Sequence, residues 1–151
     1  NQGLTLDENI THFSMWAMLA APLMSGNDVR IMPDDVKKIL TNKEVIAINQ
    51  DKQGKQAIKF LDMGDHEVWV KFLENDEIAV CFMNRSETPW QEKYDWSRLN
   101  IYHEEYAIRF KDKEYSMKDL WNNVTYKSTK TSTDLNIPKH GVLMVKLTPI
   151  K

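Results

Sequence analysis

The stretch that decides the fold is VWVKFLENDEIAVCFM, residues 68–83. Apolar side chains occupy every second position from 68 to 72 and again from 78 to 82, and Glu-Asn-Asp at 74–76 supplies turn-forming residues. Successive side chains on a β-strand point to opposite faces, so this two-residue period is typical of strands. The stretch therefore predicts a β-hairpin.

Further short runs with the same character flank the hairpin and are separated by turn residues. They lie at 57–60, 106–110, 117–121, 134–137 and 142–147. About seven or eight short strands without a long helical period indicate two antiparallel sheets packed as a sandwich. The lone cysteine, Cys81, lies inside a strand. We expect it to be a buried apolar side chain, as free cysteines commonly are.

The first fifty residues have a helical period instead. Thr5 and Glu8 have the spacing of a capping box, which predicts a helix start. Apolar residues then recur at three- and four-residue intervals: Ile10, Phe13, Trp16, Ala17 and Ala20. Since Met15, Met18 and Leu19 fill much of the opposite side, we expect protein on nearly all sides of this helix.

Shorter elements follow this helix. Pro22 ends it, and residues 23–24 are predicted to form a very short buried strand. Pro33 opens a second helix, and a capping box at Thr41 and Glu44 predicts a third. After the polar stretch 51–54 the period changes from about 3.6 to 2. The predicted domains are therefore 1–54 and 55–151.

Blocks along the whole chain carry a family resemblance. They are NQGLT (1–5), HFSMWA (12–17), APLM (21–24), GND (26–28), NKEVIAINQD (42–51), EVWVK (67–71), AV (79–80), NRS (84–86), DLW (119–121) and HGVL (140–143). In content and spacing they resemble the C-terminal part of the α-galactosidases of glycoside hydrolase family twenty-seven. The resemblance implies the end of a (β/α)8 barrel, as helix–strand–helix, followed by an all-β antiparallel sandwich.

The resemblance also implies an activity for the parent protein, the removal of terminal α-linked galactose from oligosaccharides with retention of configuration. Such chemistry uses two carboxylates about 5–5.5 Å apart. In the family both lie on earlier barrel strands, upstream of the position that matches Asn1. The chain alone is therefore expected to be inactive, with no catalytic residue, cofactor or metal of its own. It begins with Asn1 rather than Met, so we expect further sequence upstream, and the resemblance implies a secreted or periplasmic protein.

Four residues in the segment that follows the first predicted helix are candidates for lying beside the substrate. Met24, Ser25, Asn27 and Asp28 follow the predicted barrel strand, and loops after barrel strands build active sites. The alternative is structural, because the same residues can brace the turn, with Arg30 as an ion-pair partner. The second interpretation is the one that we favour for Asn27 and Asp28.

Other polar groups have ordinary explanations. The carboxylate pairs are Asp34 with Asp35, Glu74 with Asp76, and Glu104 with Glu105. Each pair has a structural explanation that we favour over acid/base catalysis. The first pair suits the start of a helix, the second forms a turn, and the third lies on a solvated surface. The four histidines, His12, His66, His103 and His140, show no metal-ligand spacing, which argues against a zinc site.

Tryptophans raise an alternative function, a non-catalytic carbohydrate-binding module. Trp69 and Trp121 lie in strand-like runs and are expected in the core, whereas Trp90 and Trp96 lie in the loop-like stretch 88–100. Trp90 and Trp96 are therefore the candidates for stacking on sugar rings. A third interpretation makes the sandwich an interaction domain that stabilises the barrel, and this is the role that we favour for it.

Composition excludes several classes of partner and implies others. A net charge of −2 gives no electrostatic basis for nucleic-acid binding, and the most apolar stretch, 14–24, is too short to cross a membrane. The chain is also shorter than the roughly 250 residues of a whole barrel. Exposing Phe13, Trp16, Leu19 and Leu23 would cost about 6–12 kcal/mol. We therefore expect the remainder of the barrel, or further copies of the chain, to cover this face.

Overall fold

The computed structural model describes residues 3–104, 106–126 and 128–150, where helices precede β-strands. The helices are α1 (Leu6–Met18), α2 (Asp34–Leu40) and α3 (Lys43–Asn49). The strands are β1 (Ile58–Asp62), β2 (His66–Phe72), β3 (Ile78–Asn84), β4 (Trp90–Tyr94), β5 (Asn100–His103), β6 (Tyr106–Arg109), β7 (Tyr115–Asp119), β8 (Thr125–Tyr126), β9 (Thr133–Ile137) and β10 (Val142–Pro149). The predicted order, a helical segment before an antiparallel sandwich, is confirmed.

The hairpin predicted from residues 68–83 is the centre of a six-stranded antiparallel sheet. Its strand order is β1-β2-β3-β10-β7-β8. Val68 pairs with Phe82 and Val70 with Val80, so the apolar side chains of both strands share one face. Asn75 has a positive φ of 60° in the connecting turn, a conformation that asparagine tolerates better than most residues.

A second layer covers that face and completes the sandwich. It is made of the pairs β4-β9 and β5-β6. Its buried side chains pack against the apolar face of the six-stranded sheet. They include Trp90, Tyr94, Trp96, Ile101, Phe110, Leu135 and Ile137. The prediction of a loop over 88–100 is wrong, because β4 and the start of β5 lie within it.

The three helices pack against the other face of the six-stranded sheet. Phe13 and Ala17 of α1, with Val45 of α3, share a core with Ala79 and Cys81 of β3. Only 8% of the Phe13 surface stays exposed. The expectation that Phe13 needs a neighbour outside the chain is therefore wrong, since the sheet buries apolar side chains on both of its faces.

Two local predictions about the helical segment are corrected. No strand forms at residues 23–24, and Met24 is 80% exposed. A strand needs hydrogen-bonded neighbours, and the described part of the chain places none beside this segment. The N-cap of α3 is Asn42 rather than Thr41, because the Asn42 side chain accepts hydrogen bonds from the Glu44 and Val45 amides.

The capping box at the start of α1 is confirmed. The Thr5 hydroxyl accepts a 3.3 Å hydrogen bond from the Glu8 amide, and the Glu8 carboxylate accepts a 2.7 Å bond from the Thr5 amide.

Within the residues that the structure describes, no helix is both long enough and apolar enough to cross a bilayer.

Candidate functional site

The segment after α1 carries the four residues predicted to lie near substrate. Asp28 is occupied by Arg30: its two carboxylate oxygens accept hydrogen bonds of 2.9 and 2.6 Å from the guanidinium. These bonds, with another from the Arg30 amide, hold the pKa of the Asp28 carboxyl below its usual value. The Ser25 hydroxyl accepts a 3.3 Å bond from the Asn27 amide. These contacts brace the segment, as the structural interpretation expects.

Three of those residues also line a cavity of about 600 Å³. Met24, Ser25 and Asn27 form one wall, and Asp28 does not reach it. The rest of the lining is mainly apolar. Its apolar members are Leu23, which follows α1, and Phe13, Trp16, Val36, Ile39, Leu40 and Ile46 of α1, α2 and α3. The described lining contains no aspartate or glutamate, so the cavity has no carboxylate for acid/base chemistry on a glycoside.

Exposed apolar side chains occur in the segment that follows α1 and contributes to the cavity wall. Met24, Val29 and Ile31 are each at least 77% exposed. Trp16 and Leu23 are half-buried at the cavity wall. Three large apolar side chains this exposed within one short segment are more typical of an interaction face than of surface that stays in solvent. The cavity is therefore suited to receiving further protein.

Several members of the carboxylate pairs, for which the sequence favoured structural explanations, make such contacts. Lys52 pairs with Glu74 at 3.5 Å, whereas Lys113 pairs with Asp76 at 3.6 Å. In α2, the Asp35 carboxylate accepts a hydrogen bond from the Val36 amide. Glu105 lies outside the described residues. Among those described, no three His, Cys, Asp or Glu side chains are grouped so as to hold a metal ion.

The two tryptophans proposed to stack on sugar are in the core. Trp96 is fully buried and donates a 2.8 Å hydrogen bond from Nε1 to the Thr133 hydroxyl. Trp90 is 4% exposed, and its ring stacks on His66 with 4.4 Å between centroids. A sugar needs a free ring face, which neither residue offers. The stacking prediction is therefore wrong for both.

Trp121, assigned to the core from sequence, is the tryptophan that borders a polar cavity. Its Nε1 donates a 2.8 Å hydrogen bond to the Ser14 hydroxyl, which fixes the ring where α1 meets the sandwich. The half-buried ring lines a cleft of about 320 Å³ with Tyr126. The position of Trp121 in the sequence did not predict this cleft, because the cleft forms between segments that are distant in the chain.

Two buried charged residues were missed by the sequence analysis. Glu67 accepts hydrogen bonds from Lys59, Arg85 and the Trp69 indole. Burial raises the pKa of the Glu67 carboxyl, but these bonds outweigh it, and the pKa lies below its usual value. Lys71 lies on β2 between two core-facing apolar residues, a pattern that predicts a solvent-facing charge. It is buried because α1 and α3 cover the second face of the sheet and accept its hydrogen bonds. Both residues hold the structure together.

Comparisons with known proteins agree over the whole chain. Residues 63–147 match a family model described as the α-galactosidase C-terminal β-sandwich domain, and residues 1–51 match one described as α-galactosidase A. α-Galactosidase A of Cellvibrio japonicus is 42% identical over 149 residues, which cover 97% of this chain and 37% of that protein. The α-galactosidase of Cyamopsis tetragonoloba is 34% identical over 149 residues, which cover 99% of this chain and 34% of that protein.

The fold has a close counterpart among solved structures. α-Galactosidase I from Mortierella vinacea superposes with a TM-score of 0.81 at 27% sequence identity. The match covers 97% of this chain and 36% of that one. The chain thus spans about a third of the length of each of these proteins.

Proposed function

This chain belongs to the α-galactosidase family, and we propose that it is the C-terminal part of a retaining exo-acting enzyme that removes terminal α-linked galactose from oligosaccharides. The observation that carries this proposal is the pair of successive family matches, at 1–51 and 63–147. Relatives that match nearly the whole chain are named α-galactosidases. The names of these relatives therefore support α-galactosidase activity for the whole protein of which this chain is a part.

The proposed division of labour assigns residues 1–54 to the end of the catalytic barrel and residues 55–151 to an accessory sandwich. The helices pack on the outer face of the six-stranded sheet, so the sandwich supports that end of the barrel. Both catalytic carboxylates would come from the missing part of the barrel. We expect no turnover from this chain alone.

The apolar cavity supports this assignment. Its described lining comes almost entirely from α1–α3 and the segment 23–27. All of these lie within residues 1–54, the part of the chain proposed to end the barrel. Strands and helices of a barrel bury such side chains against their neighbours. We therefore assign the preceding barrel segments of the same protein as its occupant. Self-association of the chain through this face is the alternative that the experiment below also tests.

The deciding experiment compares this chain alone with the chain plus the upstream part of its protein, both on an aryl α-galactoside. We expect no turnover in the first sample and turnover in the second. Turnover by the chain alone would show that it carries catalytic carboxylates. If the two parts form a folded complex without turnover, the proposed activity is wrong.

A matched pair of substitutions tests the assignment of the cavity. Leu23→Lys places a charge in the cavity wall, so it should prevent association with the upstream part. Met63→Lys changes an apolar residue that is half exposed in the β1–β2 turn and should leave association unchanged. Light scattering on the isolated chain identifies self-association, which Leu23→Lys should also abolish if copies cover this face.

Location in the cell remains a proposal based on the family resemblance. We propose a secreted or periplasmic protein. Fractionation of the native organism, with detection of the protein by antibody, tests this. Recovery with cytoplasmic markers would contradict it.

A further inference from the structure

A second cavity lies where α1 meets the edge of the sandwich. This cleft, about 320 Å³, opens between the first turn of α1, the β7–β8 turn and strand β9. Its polar and aromatic lining consists of Asp7, Asp119, Trp121, Asn122, Tyr126, Asp134 and Asn136. The volume lies at the lower end of the range for ligand pockets, about 300–1,000 Å³.

Several hydrogen-bonding groups of the cleft have no protein partner. In the ranges that the structure describes, no residue donates a hydrogen bond to the carboxylates of Asp7 and Asp134, and none bonds to the Tyr126 hydroxyl. Asn136 uses only its Oδ1, which accepts a 3.3 Å bond from Gln91. By contrast, Asp119 is fully engaged by the Trp121 and Asn122 amides and the Asn122 side chain. The free groups therefore offer acceptors and donors to a ligand.

The aromatic wall is held in place from behind. The Trp121 indole is fixed by its bond to Ser14 and by an edge contact with Phe13, with 6.4 Å between ring centroids. Burial, reinforced by the nearby Asp119 charge, raises the pKa of the Tyr126 hydroxyl, so it stays a donor at neutral pH. A fixed ring beside a protonated phenol and two carboxylates needs little reorganisation when a ligand binds.

The chemistry of the lining selects one class of ligand. Carboxylates at the rim repel anions, which excludes phosphate and sulfate groups. A neutral pyranose presents hydroxyls to carboxylates and amides, and its C–H face fits an aromatic ring. We propose that this cleft is a carbohydrate-binding site of the chain, which takes a neutral pyranose unit of a galactose-containing oligosaccharide. The choice of galactose rests on the proposed function, whereas the cleft itself does not depend on turnover by the parent enzyme.

The test is a titration of the isotope-labelled chain, followed by NMR through the indole N–H of Trp121 and the amides of 122–136. The probes are methyl α-galactopyranoside and raffinose, which should shift these signals with millimolar affinity. Arginine methyl ester serves as a cationic probe. If it shifts the same signals at lower concentration than the sugars do, the cleft is a cation site and the proposal fails.

Substitutions separate this cleft from nonspecific sugar contact. Asp134→Ala and the conservative Tyr126→Phe should each weaken raffinose binding, Asp134→Ala about tenfold. Asp65→Ala, an exposed carboxylate in the β1–β2 turn, is the matched control and should bind as the unmodified chain does. The amide spectrum of each variant confirms its fold. Unchanged affinity in both cleft variants, or no shift of the Trp121 signal with either sugar, overturns the proposal.

Discussion

The ammonium nitrogen of Lys71 lies 2.6 Å from the carbonyl oxygen of Ile48 and donates a hydrogen bond to it. It donates a second bond, of 3.1 Å, to the carbonyl of Ala17. Both acceptors are in the last turns of their helices, α3 and α1, where the helix dipole favours a cation. The Ala17 carbonyl also accepts a 3.3 Å bond from the Ala20 amide. One side chain of the sandwich therefore ties down the ends of two helices.

Replacing this buried cation should weaken the attachment of the helices to the sandwich. Lys71 is fully buried, and burial lowers the pKa of its ammonium group. Lys71→Met keeps the apolar stem but leaves the buried Ile48 carbonyl without a donor, at about 1–3 kcal/mol, whereas the Ala17 carbonyl keeps the Ala20 amide as a donor. The cost is partly offset because no charge is buried. We expect a net loss of about 1–3 kcal/mol in the free energy of unfolding, measured by urea denaturation.

The matched control is Lys93→Met on the exposed side of β4, which should change stability by less than about 0.5 kcal/mol. An equally small change in Lys71→Met would mean that the two hydrogen bonds contribute nothing net to folding.

Local signals in the sequence predicted much of this fold. The two-residue period of 68–83 predicted β2 and β3, and the spacing of Thr5 and Glu8 predicted the start of α1. These signals succeed because strand pleating and helix capping are decided by residues close together in the chain. The change from a helical to a two-residue period after 51–54 predicted the order of the two segments.

Features that depend on distant partners were not predictable. In β4 only Trp90 and Tyr94 are buried, and the three residues between them are exposed, so the strand shows no two-residue period. Trp96 belongs to the core because Thr133, far along the chain, accepts its N–H. For the same reason the cleft beside Trp121 could not be inferred, since it is assembled from segments that are more than a hundred residues apart.

Cys81 should make the protein sensitive to alkaline pH. Burial raises the pKa of its thiol from the ordinary 9.0 to about 12. Above pH 9.0 the unfolded thiol ionises while the folded one stays protonated, so the folded state binds more protons and stability falls as pH rises. The loss attributable to Cys81 should be about 1.4 kcal/mol per pH unit between about pH 9 and 12.

The Cys81→Ala variant isolates this effect. It should be less stable at neutral pH by a constant amount, yet its stability should decline less steeply above about pH 9. Urea denaturation at several pH values measures both slopes. Parallel slopes for the two proteins would show that the thiol does not govern the alkaline loss.

We expect the substitution Asn84→Asp to destabilise the folded chain. It is 1% exposed, and its Nδ2 donates to the carbonyls of Thr88, Ile137 and Pro138 at 2.8, 3.3 and 3.0 Å. Asn84→Asp replaces the donor with an acceptor that faces the same carbonyls, with a penalty of about 2–4 kcal/mol at neutral pH. Thermal unfolding followed by circular dichroism measures the loss.

Asn100→Asp is the control, since it introduces the same charge at an exposed position of β5. We expect its melting temperature to match that of the unmodified chain. If Asn84→Asp melts no lower than Asn100→Asp, the hydrogen bonds at Asn84 do not hold the β9–β10 connection.

Gly141 is required by a close approach of the chain to itself. A Cβ atom added there would lie 2.6 Å from Cγ of Pro138 and 3.0 Å from the Pro138 carbonyl oxygen. The backbone of Gly141 cannot simply move away, because its N–H donates to the Pro138 carbonyl and its carbonyl accepts from the Asn84 amide. Gly141→Ala should therefore cost about 1–3 kcal/mol through overpacking.

Gly26→Ala tests whether this loss comes from the contact rather than from the substitution itself. A Cβ at Gly26 meets no atom within 4 Å, and its φ lies outside the left-handed region. We expect Gly26→Ala to stay within about 0.5 kcal/mol of the unmodified chain by urea denaturation. Equal stability of the two variants would show that Pro138 shifts to admit the methyl group, and that this approach does not select for glycine.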